Sequence, residues 1–146
     1  VISWGYESEA PGNSPFVDQH EWWGTRDMAA FLSVPAAIEF HKKHRWEKVR
    51  DACHELARDA LEQICGFTGL APLHSGADHW FGQMIAAPLP DHVEIAVLKT
   101  RLYEEHKIEV PLIDWNGFKL IRVSVQGYNS RQDIDALCRA LPALMG

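Results

Sequence analysis

Apolar residues recur along this chain with two periods, and the change from one to the other marks its elements. Over residues 46–65, Val49, Cys53, Leu56, Ala60, Leu61 and Ile64 fall three and four positions apart. That is the spacing of one buried helix face. Gly66 and Gly69 close this helix, since glycine accepts the left-handed conformation in which helices end. A second helical stretch covers 91–106, with Ile95, Leu98, Leu102 and Tyr103 on one side. A third starts at Ser130, where Asp133 completes a capping-box pattern and Ile134, Leu137, Leu141 and Leu144 form the buried stripe. Nearer the start, Gly24-Thr25-Arg26-Asp27 opens a helix with Thr25 as its N-cap, followed by Met28, Phe31 and Leu32. Pro35 kinks or restarts this element, because a proline inside a helix removes a hydrogen bond and clashes one turn back.

Strands are expected where the period shortens. Residues 81–88 alternate loosely and are bounded by Pro88 and Pro90. Residues 109–115 and 119–125 flank Asn116-Gly117, the strongest short hairpin signal. Val1-Ile-Ser-Trp4 reads as a strand already under way, and 7–17, with Pro11, Gly12, Asn13, Ser14 and Pro15, as a loop. The order predicts an α+β fold: a three-stranded antiparallel sheet with helices against one face. We find no internal repeat and no low-complexity segment.

A chain of 146 residues with 47% hydrophobic content can bury one proper core. A formal charge of -6 argues against nucleic acid as a partner, because phosphate contacts need a basic surface. No apolar stretch suits a signal peptide or a membrane span. Cys53, Cys65 and Cys138 are odd in number, lack CxxC spacing and sit on apolar helix sides. They read as buried thiols of a reducing cytosol, which places the protein in the cytoplasm. With Val1 opening on a strand, the chain is expected to be a piece of something longer.

The residue that stands out chemically is Arg122, set among apolar neighbours in the last predicted strand. A guanidinium there is costly unless it meets an anion, and its planar fork suits a carboxylate. Two readings remain open from this segment alone: an anchor for a small carboxylate ligand, or a structural salt bridge to an acid elsewhere in the fold. Other groups are weaker. His41 and His44 have helical metal-ligand spacing but basic company in Lys42, Lys43 and Arg45, so surface histidines are the expectation. His74, Asp78 and His79 lie in a loop, and His20-Glu21 is a bare acid–base pair of neighbours. Trp22 and Trp23 could wall a pocket or a subunit interface. Asn129 and Ser130 read as turn and cap, holding the geometry that presents Arg122.

Two segments carry a resemblance. His20-Glu-Trp-Trp-Gly-Thr-Arg-Asp-Met-Ala-Ala-Phe-Leu-Ser-Val-Pro-Ala-Ala-Ile-Glu-Phe40 resembles the stretch opening the C-terminal part of class V aminotransferase-type enzymes, which depend on pyridoxal 5'-phosphate. Arg122-Val-Ser-Val-Gln-Gly-Tyr-Asn-Ser-Arg-Gln-Asp-Ile-Asp135 resembles their closing pattern R-x-S-x-x-x-Y-N-[ST]-x-x-[DE]-[IVL]-[DE]. The group that looks similar is isopenicillin N epimerase-like, within fold type I. The resemblance implies that 1–20 is an extended or loop segment from the end of a large cofactor domain, and that 21–146 is the C-terminal small domain. It implies a homodimer whose active sites lie at the subunit interface, and an amino-acid-like substrate. It also implies that Gly24 and Thr25 contact the cofactor phosphate and that Arg122 binds the substrate carboxylate. The cofactor lysine belongs to the large domain, so no catalytic residue is expected here and this chain alone is not a competent enzyme. Related cysteine desulfurases carry a catalytic cysteine before the arginine strand; here Asp114-Trp-Asn-Gly-Phe-Lys119 has none, and Cys138 lies inside the last helix. Epimerase, aminotransferase and lyase chemistry at Cα stay open, as do a desulfurase-like enzyme and a non-catalytic ligand-binding or oligomerisation module.

Overall fold

Asn116 and Gly117 take left-handed φ values of 50° and 80°. That is the turn geometry matching the twist of an antiparallel pair, and the strands it joins are β2 (Leu112–Trp115) and β3 (Phe118–Ser124). The computed structural model describes residues 14–21, 25–74 and 78–146, divided into two compact units between His44 and Arg45. The expected strand at Val1 to Trp4 lies outside the described residues.

The first unit holds α1 (Pro15–Glu21), α2 (Ala29–Leu32) and α3 (Val34–Lys43). The expected loop through Val17 gives way to helix at Ser14, whose Oγ accepts the Val17 N–H at 3.1 Å while Pro15 takes the first helical position. Pro35 restarts the chain as expected: α2 stops at Leu32 and α3 begins at Val34 with the proline in its first turn. Thr25 does not cap α2. The helix starts at Ala29, and its N–H is taken by Asp27 Oδ1 at 2.8 Å. A carboxylate two residues before the helix reaches that donor, and Thr25 is left in a bend. Neither α2 nor α3 buries a residue, and Phe31, Leu32, Val34, Ile38 and Phe40 are all exposed.

The second unit is the predicted α+β layer. Its elements are α4 (Trp46–Thr68), β1 (Met84–Leu89), α5 (Ile95–His106), β2, β3 and α6 (Arg131–Met145). The sheet is antiparallel, in the order β1-β3-β2. One face turns Ile85, Ala87, Leu89, Ile121, Val123 and Val125 into a core shared with Ala57, Ile64, Leu98, Leu102, Ile134 and Leu141. Each large apolar side chain there contributes roughly 1.5–3 kcal/mol by leaving water. The other face carries Met84, Ala86 and Pro88 from β1, Leu120, Arg122 and Ser124 from β3, and Ile113 and Trp115 from β2.

Two details fix β3. Lys119 Nζ donates to the carbonyls of Asp91 (2.6 Å) and Val93 (2.7 Å), tying the strand to the turn before α5. That turn, closed by Val93 N–H to Pro90 C=O, delays α5 until Ile95. On β1, the ladder turns the backbones of Met84, Ala86 and Pro88 away from β3. Pro88 thus stands where a missing N–H breaks no ladder bond, as prolines of edge strands do.

Candidate functional site

Arg122 sits in the middle of β3, opposite Ala86 of β1, and its own N–H donates to Pro111 C=O at 2.9 Å. The period of two sends its side chain to the sheet face opposite the helices, together with Ser124. It is exposed there, and among the described residues no acidic side chain pairs with it. The cost of burying a guanidinium, which the apolar neighbours suggested, therefore does not arise: Ile121 and Val123 face the core and Arg122 faces away. A strand's alternation separates what the linear sequence mixes.

After β3 the chain turns through a tightly bonded corner. Asn129 N–H donates to Gln126 C=O (2.8 Å), and Asn129 Oδ1 accepts the Gln126 N–H (2.9 Å). Gln83 Nε2 donates to Val125 C=O at 3.0 Å, joining the corner to the start of β1. Gly127 lies against α4, close enough that an added Cβ would meet Val49 and Trp46. Ser130 then opens α6 in a capping box, its N–H donating to Asp133 Oδ2 at 2.8 Å, and Arg131 pairs with Asp59 of α4. The Ser130 N–H holds the Asp133 carboxyl below the usual range; desolvation opposes it, and the Ser130 hydroxyl and Asn129 side chain add smaller lowering contributions. The turn-and-cap reading of Asn129, Ser130 and Asp133 is what the geometry shows.

Beside β3 lies a cavity of about 390 Å³, lined among others by Ile108, Val110, Arg122, Ser124, Ile134 and Leu137. In the sequence Ser124 has no site role beyond its place in the R-x-S pattern. The signal was available, since two residues past Arg122 is the same face of a strand.

The remaining candidates are dispersed. Thr25 is exposed in its bend, with its hydroxyl as the donor it can offer a phosphate, and α2 is too short to act as an anion site. Gly24, Trp22 and Trp23 lie outside the described residues. His20 Nδ1 donates to Phe16 C=O at 2.7 Å and its ring packs on Phe16, so it is not set up as the partner of Glu21. His44 caps the end of α3 and packs on Phe40, off the helical turn that would align it with His41. Among the described residues no group of three or more His, Cys, Asp or Glu side chains is placed to hold a metal. The three cysteines are free; burial pushes Cys138 up to about 11, helped by Asp135, and raises Cys65 as well. No helix among the described residues is long and apolar enough to cross a membrane.

Comparison with known proteins adds the wider context. No protein-family model matches the chain. Over 98% of its length it is similar, at 33% identity, to an isopenicillin N epimerase of Amycolatopsis lactamdurans. Over 99% it is similar, at 29% identity, to an isopenicillin N epimerase of Streptomyces clavuligerus. The chain spans 38% and 39% of the lengths of these two relatives.

Proposed function

We propose that this chain, isopenicillin N epimerase-like along nearly its whole length, is the C-terminal small domain of a pyridoxal-phosphate-dependent enzyme acting at Cα of an amino acid. The observation that carries the reading is Arg122: an exposed guanidinium without an acidic partner among the described residues, on a strand followed by a bonded corner that lies against α4 and leads into α6. Held in a bidentate pair by Arg122, a substrate carboxylate would be fixed in orientation, so Arg122 would govern which bond at Cα reacts as well as affinity. Bound pyridoxal phosphate supplies the electron sink for the charge left when a proton leaves Cα. Thr25 contributes its hydroxyl to the phosphate, with Gly24 of the same Gly-Thr pair as the second proposed contact. The lysine that holds the cofactor lies outside this chain, which is why residues 1–146 bind and orient and do not themselves catalyse.

Proton chemistry at Cα, in the epimerase, aminotransferase or lyase manner, is favoured over sulfur transfer. The hairpin before β3 offers no thiol, and the Cys138 thiol is buried with its pKa raised to about 11. A homodimer is supported by the apolar side chains that α2 and α3 leave exposed, which a subunit interface would cover. A cytoplasmic site of action goes with the three free cysteines.

Borohydride reduction of the full-length polypeptide with pyridoxal phosphate, followed by peptide mapping, tests this reading. One labelled lysine outside residues 1–146 is expected. Absence of any specific label would sink the catalytic role.

A further inference from the structure

The sequence predicts a strand over 109–115, but the ladder with β3 begins only at Leu112. The last bond on that side is Arg122 N–H to Pro111 C=O, and Pro111 has no N–H to return it. Carried one step further in the same register, the ladder would set Glu109 opposite Ser124. That rung is not formed. The alternation of β3 turns the Ser124 N–H and C=O away from β1, and among the described residues neither they nor the Glu109 backbone groups meet a hydrogen-bond partner.

The intervening segment is already arranged as a strand. Ile108 and Val110 are half-buried against the core, while Glu109 and Pro111 are exposed. That is the alternation β2 continues at Leu112. There is also room for movement. The 390 Å³ cavity lies between 108–110 and β3, and a second, of about 540 Å³, lies on its other side against Ala96, Thr100 and Tyr103 of α5. The segment is fixed at its start, where Lys107 N–H and Ile108 N–H bond the carbonyls of Tyr103 and Leu102, and at its end by Pro111 C=O.

We propose that residues 108–110 are a strap that closes onto β3, pairing Glu109 with Ser124 and bringing the Glu109 carboxylate to the Arg122 guanidinium. In that register Glu109 shares a sheet face with Ser124 and stands diagonal to Arg122. The separation is about 7–8 Å between backbones, within reach of two long side chains. In the open arrangement neither group has a salt-bridge partner among the described residues. Closing the strap fills the cavity, satisfies the backbone groups of both strands and sets an internal carboxylate on the guanidinium. The strap stands on this geometry alone. That it gates a substrate carboxylate rests on the anchor role proposed for Arg122.

Amide hydrogen exchange on the full-length polypeptide, resolved at Ser124, tests the strap without reference to activity. A closed strap protects the Ser124 amide about tenfold or more over an unpaired amide. Glu109→Gln, which keeps the strand and removes the charge, should raise its exchange severalfold. Sodium acetate, but not equal sodium chloride, should do the same in the wild type by competing for Arg122. A Ser124 amide exchanging at the unpaired rate, or a Glu109→Gln variant exchanging like the wild type, overturns the strap. Loss of this coupling while Arg122→Ala still cripples activity overturns the strap alone. Coupling that persists while Arg122→Ala leaves activity intact overturns only the anchor.

Discussion

A β-carbon on Gly127 would come within 3.0 Å of Val49 Cγ1, so the corner after β3 and the first turns of α4 are fitted to each other's surfaces. The Trp46 ring, 3.6 Å from the same point, limits how far the corner can shift. Gly127→Ala should cost about 1–3 kcal/mol, the range for overpacking a fitted contact. Val49→Ala in the same molecule should recover part of it. Urea denaturation of the two single variants and the double variant checks this, and strictly additive losses would show that the contact is not the cause.

Arg122→Ala should leave the folded core intact, since the side chain is exposed; a loss of no more than about 1 kcal/mol is expected, the size of one surface ion pair. Its effect on the full-length enzyme should be large by contrast. Losing a carboxylate anchor removes roughly 2–5 kcal/mol of transition-state binding, about 30-fold to several thousand-fold in kcat/KM. Arg122→Lys, which keeps the charge but not the fork, should fall between. Unchanged kcat/KM in Arg122→Ala would falsify the anchor.

Asp133 gives a pH dependence with a definite sign. Its pKa is lowered in the folded chain by the Ser130 N–H, so its contribution to stability is full above the unfolded value of about 3.9. It is lost as pH falls through the lower folded value. Asp133→Asn should thus be less stable than the wild type at neutral pH, with the gap narrowing in acid. Denaturation midpoints tracked from neutral pH downward test it; a gap that widens in acid contradicts the assignment.

Cys138 should be silent toward iodoacetamide while the chain is folded. With a pKa of about 11, only about one thiolate in a thousand is present at pH 8, and α6 buries it as well. Peptide mapping should find Cys65, half-buried, modified earlier, and Cys138 only after urea is added. Early labelling of Cys138 would reopen a chemical role for that thiol.

Local signals proved legible wherever a single residue decides the backbone. Asn116-Gly117 marked the hairpin, Ser130 with Asp133 the start of α6, and Pro35 the break between α2 and α3. Pattern failed where a side chain competed for the same backbone donor: Asp27, not Thr25, reaches the first turn of α2. It also failed at Pro111, where alternation persists but the ladder lacks an N–H, so a strand's length cannot be read from side chains alone. The position of Arg122 was legible, its surroundings were not. Which face of β3 is packed depends on α4, α5 and α6, and no window around Arg122 contains them.

Pro88 has a consequence beyond its own strand. The outer edge of β1 turns its backbone away from β3, and at Pro88 that edge has no donor to offer. A strand from a neighbouring molecule trying to add there finds its rung missing, so sheet-to-sheet polymerisation has no continuous template on this side. The proline is an end-stop on that edge, limiting how many consecutive rungs an added strand could form.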